Sequence, residues 1–354
     1  MIRSLTAALL VALAAGLSGC RTAAIQRSAE VPSELRPEEV PAAISAAEGA
    51  LLADQPQLAM DWMRVASTLE GLPSDQRARV QRLLEVSADR FIREVEGDER
   101  AAEVLSEVLE LELPRQLAVT GALRGAQLYQ ARGEPWEAVK TVQAIDKRFP
   151  THHLRPEAGR LLIECGMELS ELPSGWFSSN RDNAYSALEY VSVNYPTVPR
   201  GDEALMRLAE MYEEDQRWDL AIARHEELTT NFPDSPLLPY SLARIPHLKL
   251  ASIGSPEYDR RAVLQAKLDL ERWLADYPGH PQTEVVEYDL VDALVRLSVS
   301  DLGIARFYDE IDNPEGVRYH AERARREAGA AGDASLAEEA EAMLEGLPPT
   351  EALP

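Results

Sequence analysis

Arg217-Trp218-Asp219-Leu220-Ala221-Ile222 opens a segment that closes at Phe232-Pro233-Asp234-Ser235-Pro236. An alanine stands twelve residues before a proline, and the residue before that proline is aromatic. The same register returns at Ala138 with Phe149-Pro150, at Ala184 with Tyr195-Pro196 and at Ala266 with Tyr277-Pro278. This spacing predicts the second helix of a two-helix hairpin. A small side chain lets the paired helix come close, and the aromatic fills the space at the last turn. Proline ends the helix because it has no N–H to extend the ladder. Hairpins that recur along a chain stack into an α-solenoid, whose concave face binds other chains. The expected fold is all-α, a tetratricopeptide-like α-solenoid of about six to seven helix hairpins.

Working outward, hairpins are expected at 38–70, 74–112, 115–149, 154–195, 199–232, 236–277 and 281–328, with a terminal helix at 333–346. The marker prolines are 46, 37 and 45 residues apart, against 34 in a regular tetratricopeptide unit, so the two long units need longer helices or inserted loops. Toward the N-terminus the marker decays. Ala102 still precedes Pro114 by twelve, but Leu113 replaces the aromatic, and twelve before Pro73 stands Asp61. Residues 38–130 are therefore read as degenerate hairpins and 131–330 as the repeats proper, with a terminal helix and tail at 331–354. The turns Pro196-Thr197-Val198-Pro199, Pro233-Asp234-Ser235-Pro236 and Pro278-Gly279-His280-Pro281 stop one helix and start the next. Within them Ser235 is expected to cap a helix whose first residue is Pro236.

Residues 1–19 stand apart. Arg3 precedes a 13-residue apolar run, Leu5 to Leu17, too short to span a bilayer and suited to a secretory leader. Leu17-Ser18-Gly19-Cys20 resembles the lipobox of bacterial lipoproteins. That resemblance implies cleavage before Cys20 and lipidation of Cys20, an anchor of more than one chain being stable. Arg21, rather than Asp, then implies sorting to the outer membrane. Pro32, Pro37 and Pro41 lie among polar residues, and 20–37 reads as the lipidated N-terminus and a flexible tether; the twenty-one residues 21–41, fully extended, reach at most ~70 Å.

A formal net charge of −24 argues against nucleic acid and against anionic lipid surfaces. The chain lacks HExxH, GxGxxG, Walker and GxSxG patterns, and His152-His153 is its only histidine pair. Cys165 lies in an apolar pattern and reads as core. No cofactor, metal or catalytic residue is expected, and the expected class is a non-enzyme. Trp176-Phe177, in a polar segment, reads as a hydrophobic staple or an exposed anchor. Arg318, Arg323, Arg325 and Arg326 concentrate positive charge on one helix, as a macrodipole complement or a docking surface for an acidic partner.

Arg132-Gly133-Glu134-Pro135-Trp136-Glu137-Ala138 and the segment from Arg217 match tetratricopeptide helix starts. Ile304-Ala305-Arg306-Phe307-Tyr308, then Tyr319-His320-Ala321-Glu322-Arg323, is similar to the last repeat of the BamD family, lipoproteins of the outer-membrane β-barrel assembly machinery. The resemblance covers about 130–330. It implies a periplasmic scaffold docking a barrel-assembly subunit and receiving unfolded barrel substrates, with Arg306, Tyr308, Tyr319 and Arg323 as partner-binding residues. The alternatives are a scaffold lipoprotein for cell division, envelope or pilus assembly and, further off, a peptidoglycan-active enzyme.

Overall fold

The computed structural model describes residues 25, 27–97, 100–173, 179–254, 259–345 and 347. The leader, Cys20 and Trp176-Phe177 lie outside the described residues. Among the described residues every regular element is helical. The chain divides into two compact units, residues 1–169 and 170–354.

The first unit carries α1 (Val40–Leu52), α2 (Pro56–Ser67), α3 (Ser74–Val95), α4 (Ala101–Glu107), α5 (Arg115–Ala131) and α6 (Pro135–Arg148). Then α7 (Arg155–Glu171) runs to the division. The second unit carries α8 (Asn180–Asn194), α9 (Gly201–Glu214), α10 (Trp218–Asn231), α11 (Leu238–Ser252), α12 (Arg260–Asp276), α13 (Thr283–Glu310), α14 (Pro314–Ala331) and α15 (Ala334–Glu345). Within each unit consecutive helices pair as hairpins, α1 with α2, α5 with α6, α9 with α10, α11 with α12 and α13 with α14, at the expected positions, so each unit is a tetratricopeptide-like α-solenoid.

The repeat marker is visible in the backbone. Phe149, Tyr195, Phe232 and Tyr277 each follow a helix with φ between −135° and −125° and ψ between 48° and 69°. Each donates its N–H to the carbonyl four residues earlier, at 2.7–2.9 Å. A residue before proline is driven out of the α region by the ring's Cδ, so the helix closes its last bond and leaves in one direction every time. Ala138, Ala184, Ala221 and Ala266 are all fully buried.

Two expectations are corrected. Ser235 does not cap at Pro236: α11 starts two residues later, and the Ser235 hydroxyl accepts from the Leu237 N–H at 3.0 Å within the turn. Ile25 and residues 27–36 are not a free tether. Val31 and Leu35 are buried, and Ile25 packs against the core formed by Met60, Met63, Leu84, Phe91 and Leu105. Apolar residues in a proline-rich segment found a seat that periodicity does not reveal.

The second unit is held by Leu205, Met206 and Leu228 under Phe232, then by Leu250, Leu270, Trp273, Val286 and Leu297. Its last layer is small: Leu302, Ala324 and Ala340, with Leu336 and Met343 beside them.

Candidate functional site

The last hairpin, α13 with α14, contains all four residues singled out for partner binding. α13 is 28 residues long and buries one face through Val286, Ala293, Leu297 and Leu302. Its other face is apolar as well. Val285, Tyr288, Val291, Val299 and Phe307 on α13, Ile311 after it and Tyr319 on α14 are all exposed. Of twelve exposed large hydrophobic residues among those described, these seven fall between 285 and 319. Tyr288 is 76% exposed and Phe307 and Tyr319 each 56%, a grouping that isolated surface hydrophobics do not produce.

Three of the four residues meet around His320. The Tyr308 ring stacks on the imidazole at 5.6 Å and 14°, and it lies across Gly316, where a Cβ would collide with it. The Tyr319 ring meets the same imidazole edge-on at 5.0 Å. Arg323 donates through Nη1 to the Tyr319 hydroxyl at 3.1 Å and lies over that ring. Beneath them Asp301 is fully buried, accepting from His320 Nδ1 at 2.7 Å and from Arg260 Nη2 at 2.6 Å, with Arg323 Nε 3.5 Å away. Tyr308 and Arg323 thus hold the hairpin together, and Tyr319 is the member that offers a ring to solvent.

Arg306 stands apart, exposed and ion-paired with Glu339 of α15. Arg325 pairs with Glu341 of the same helix at 2.6 Å. Of the arginines on α14, Arg323 faces Asp301 and Arg325 pairs with Glu341, so at least two meet carboxylates of the chain itself, partners that neither sequence reading anticipated. Tyr288, Phe307 and Ile311 were missed because a helix apolar on both sides shows no single stripe. The available signal was an apolar series at 285, 288, 291, 299 and 307, running alongside the buried one.

A second cluster resembles a nucleophilic triad in its contacts. Ser241 Oγ is 3.2 Å from His225 Nδ1, and His225 Nε2 is 3.1 Å from Glu213 Oε1. Ser241 and His225 are both fully buried. Arg244 also grips Glu213, donating from Nε to both carboxylate oxygens, at 3.1 and 2.9 Å, and from Nη2. Burial alone would raise the Glu213 pKa, but hydrogen bonds from His225 and Arg244 outweigh it and bring the group down to about 2. The carboxylate is committed to structure, tying α9, α10 and α11 together. His247 ties α11 to Asp289 of α13 at 3.0 Å in the same manner.

Cys165 is fully buried, and burial, with Glu168 and Glu164 adding to it, pushes its thiol up to about 12. His152 is buried against Asp146 at 3.1 Å. No group of three or more His, Cys, Asp or Glu placed to hold a metal occurs among the described residues. No described helix is long and apolar enough to cross a membrane.

No family profile matches the chain, and no curated protein matches it. Among solved structures it is similar to the TPR domain of P58(IPK), at 14% identity over 86% of this chain and 79% of that one, with a TM-score of 0.25. A tetratricopeptide repeat protein from Parabacteroides merdae gives 13% identity over 87% and 99%, with a TM-score of 0.24. The TPR2AB domain of yeast Sti1, solved as a complex with pHSP90, gives 12% over 86% and 100%, with a TM-score of 0.21. At these scores the fold assignment rests on the chain's own helices, caps and hairpins.

Proposed function

We propose that this chain is a scaffold that binds protein partners through its last hairpin, held to the outer membrane by a lipid on Cys20 and facing the periplasm. Its role in this reading is the assembly of β-barrel outer-membrane proteins. The observation that carries it is the exposed series from Val285 to Tyr319. Exposed aromatics at the centre of an apolar patch are the residues that dominate interface energetics, and stacked hairpins present such patches on rigid elements. The lipobox-like Leu17-Ser18-Gly19-Cys20 supports the anchor. The Ile304-to-Tyr308 resemblance supports the barrel-assembly role. Arg306, Tyr308, Tyr319 and Arg323 divide in this reading: Tyr319, with Phe307 and Tyr288, meets the partner, Arg306 lies at the rim, and Tyr308 and Arg323 position the hairpin.

Depletion in the native cell tests the role. Barrel proteins of the outer membrane should fall in abundance, and a barrel-assembly subunit should be recovered on the purified lipoprotein. Unchanged barrel levels, with peptidoglycan or pilus components recovered instead, would support a scaffold for another envelope process.

A further inference from the structure

The repeat position that holds a buried alanine in four hairpins holds Asp61 in the first, and Asp61 is also fully buried. An isolated buried carboxylate is costly, so its partners explain why it is there. Asp61 Oδ2 accepts from the Ser28 N–H at 2.9 Å and from the Ser28 hydroxyl at 3.1 Å, and Arg64 lies 3.3 Å from Oδ1. Around this pin the N-terminal segment is laid down as a strap. The Val31 N–H bonds the Ser28 carbonyl at 3.0 Å, Val31 and Leu35 are buried, and the Ile25 N–H reaches Glu107 at 3.2 Å. The strap is thus fixed to α2 and α4 from residue 25 onward.

We infer that this strap holds the first two hairpins against the lipid headgroups, making them the membrane-facing surface of the protein. The inference rests on the lipid-anchor reading of Cys20. Whatever path residues 21–24 take, the links from Cys20 to Ile25 span at most ~18 Å, whereas a strap free up to Arg36 would reach as much as ~55 Å. An acidic body on a long leash would be repelled from an anionic bilayer; the pin at Asp61 removes that freedom.

The variants are Asp61→Ala, which installs the residue the other hairpins carry, and Ser28→Pro, which removes both donors without touching a helix. Full-length lipidated protein is placed on bilayers of phosphatidylethanolamine and phosphatidylglycerol. Neutron reflectometry should find the wild-type protein layer beginning within ~20 Å of the headgroups, and both variants farther out. Trypsin cleavage at Arg27-Ser28 should be about tenfold or more faster in Asp61→Ala, because cleavage follows the population of the open strap. Ser28→Pro, which makes the bond after Arg27 resistant to trypsin, is read by reflectometry alone. A wider wild-type gap, variants at the wild-type height, or unchanged cleavage in Asp61→Ala overturns the inference. Absence of acyl mass on the Cys20 peptide overturns the anchor reading itself, separately from the latch that the cleavage rates report.

Discussion

A Cβ placed on Gly125 of α5 would stand 3.1 Å from the carbonyl oxygen of Ala102 in α4 and 2.8 Å from the Ser106 nitrogen. The two helices meet backbone to backbone at the repeat's marker alanine, with nothing flexible between them. Gly125→Ala should therefore force the helices apart and cost about 1–3 kcal/mol, against a helix-propensity gain of no more than ~1 kcal/mol. Gly49→Ala is the matched control. That position lies in α1 with open space where the Cβ would go, so the substitution should stabilise by up to ~1 kcal/mol. Denaturant midpoints moving in opposite directions would bear out the geometry; midpoints moving together would not.

Ala221→Trp probes the same principle in the second unit. Ala221 is fully buried on α10, and overpacking should cost about 1–3 kcal/mol or more. An unchanged denaturation curve would mean that the repeat register is misplaced.

The Glu213 cluster makes a prediction about acid. A carboxylate with an ordinary pKa of 4.5, brought down to about 2 on folding, contributes about 3 kcal/mol to stability. That contribution is fully present above pH 4.5 and is lost as pH falls toward 2. The stability difference between wild type and Glu213→Gln should be flat near neutrality and shrink below pH 4.5. Unfolding measured as a function of pH checks this; a difference that is constant down to pH 2 would count against the assignment.

Cys165 should be inert in the folded protein. A fully buried thiol pushed up to about 12 carries almost no thiolate at neutral pH. Maleimide labelling of Cys165 should appear only with unfolding, and rapid labelling of the native chain would contradict its placement in the core.

What was legible in the sequence was local. The helix ends at Phe149, Tyr195, Phe232 and Tyr277 follow from proline and the residue before it, so reading the chain in order is enough to find them. What was illegible depends on residues brought together from afar. Asp61 looked like a decayed marker because Ser28, 33 residues earlier, is what makes a carboxylate tolerable there. The Glu213–His225–Ser241 contacts draw on three helices. The ion pairs of Arg306 and Arg325 were not legible because their partners, Glu339 and Glu341, lie on a helix whose seating only the folded hairpin determines.

Arg323 shows how that difference changes an experiment. Reversing its charge beside buried Asp301 would unfold the hairpin and mimic lost binding. Arg306→Glu alone keeps the hairpin intact, at the expense of one exposed ion pair worth about 0–1 kcal/mol.

The most direct test is photo-cross-linking in the native envelope, with a photoreactive residue placed in turn at Tyr288, Phe307 and Tyr319. Leu52 and Val193, 90% and 75% exposed, serve as controls outside the last hairpin. The account predicts a discrete adduct from the three hairpin positions, identified by mass spectrometry as a barrel-assembly subunit, and none from the controls. No adduct from the hairpin, or the same adducts from Leu52 and Val193, would contradict it.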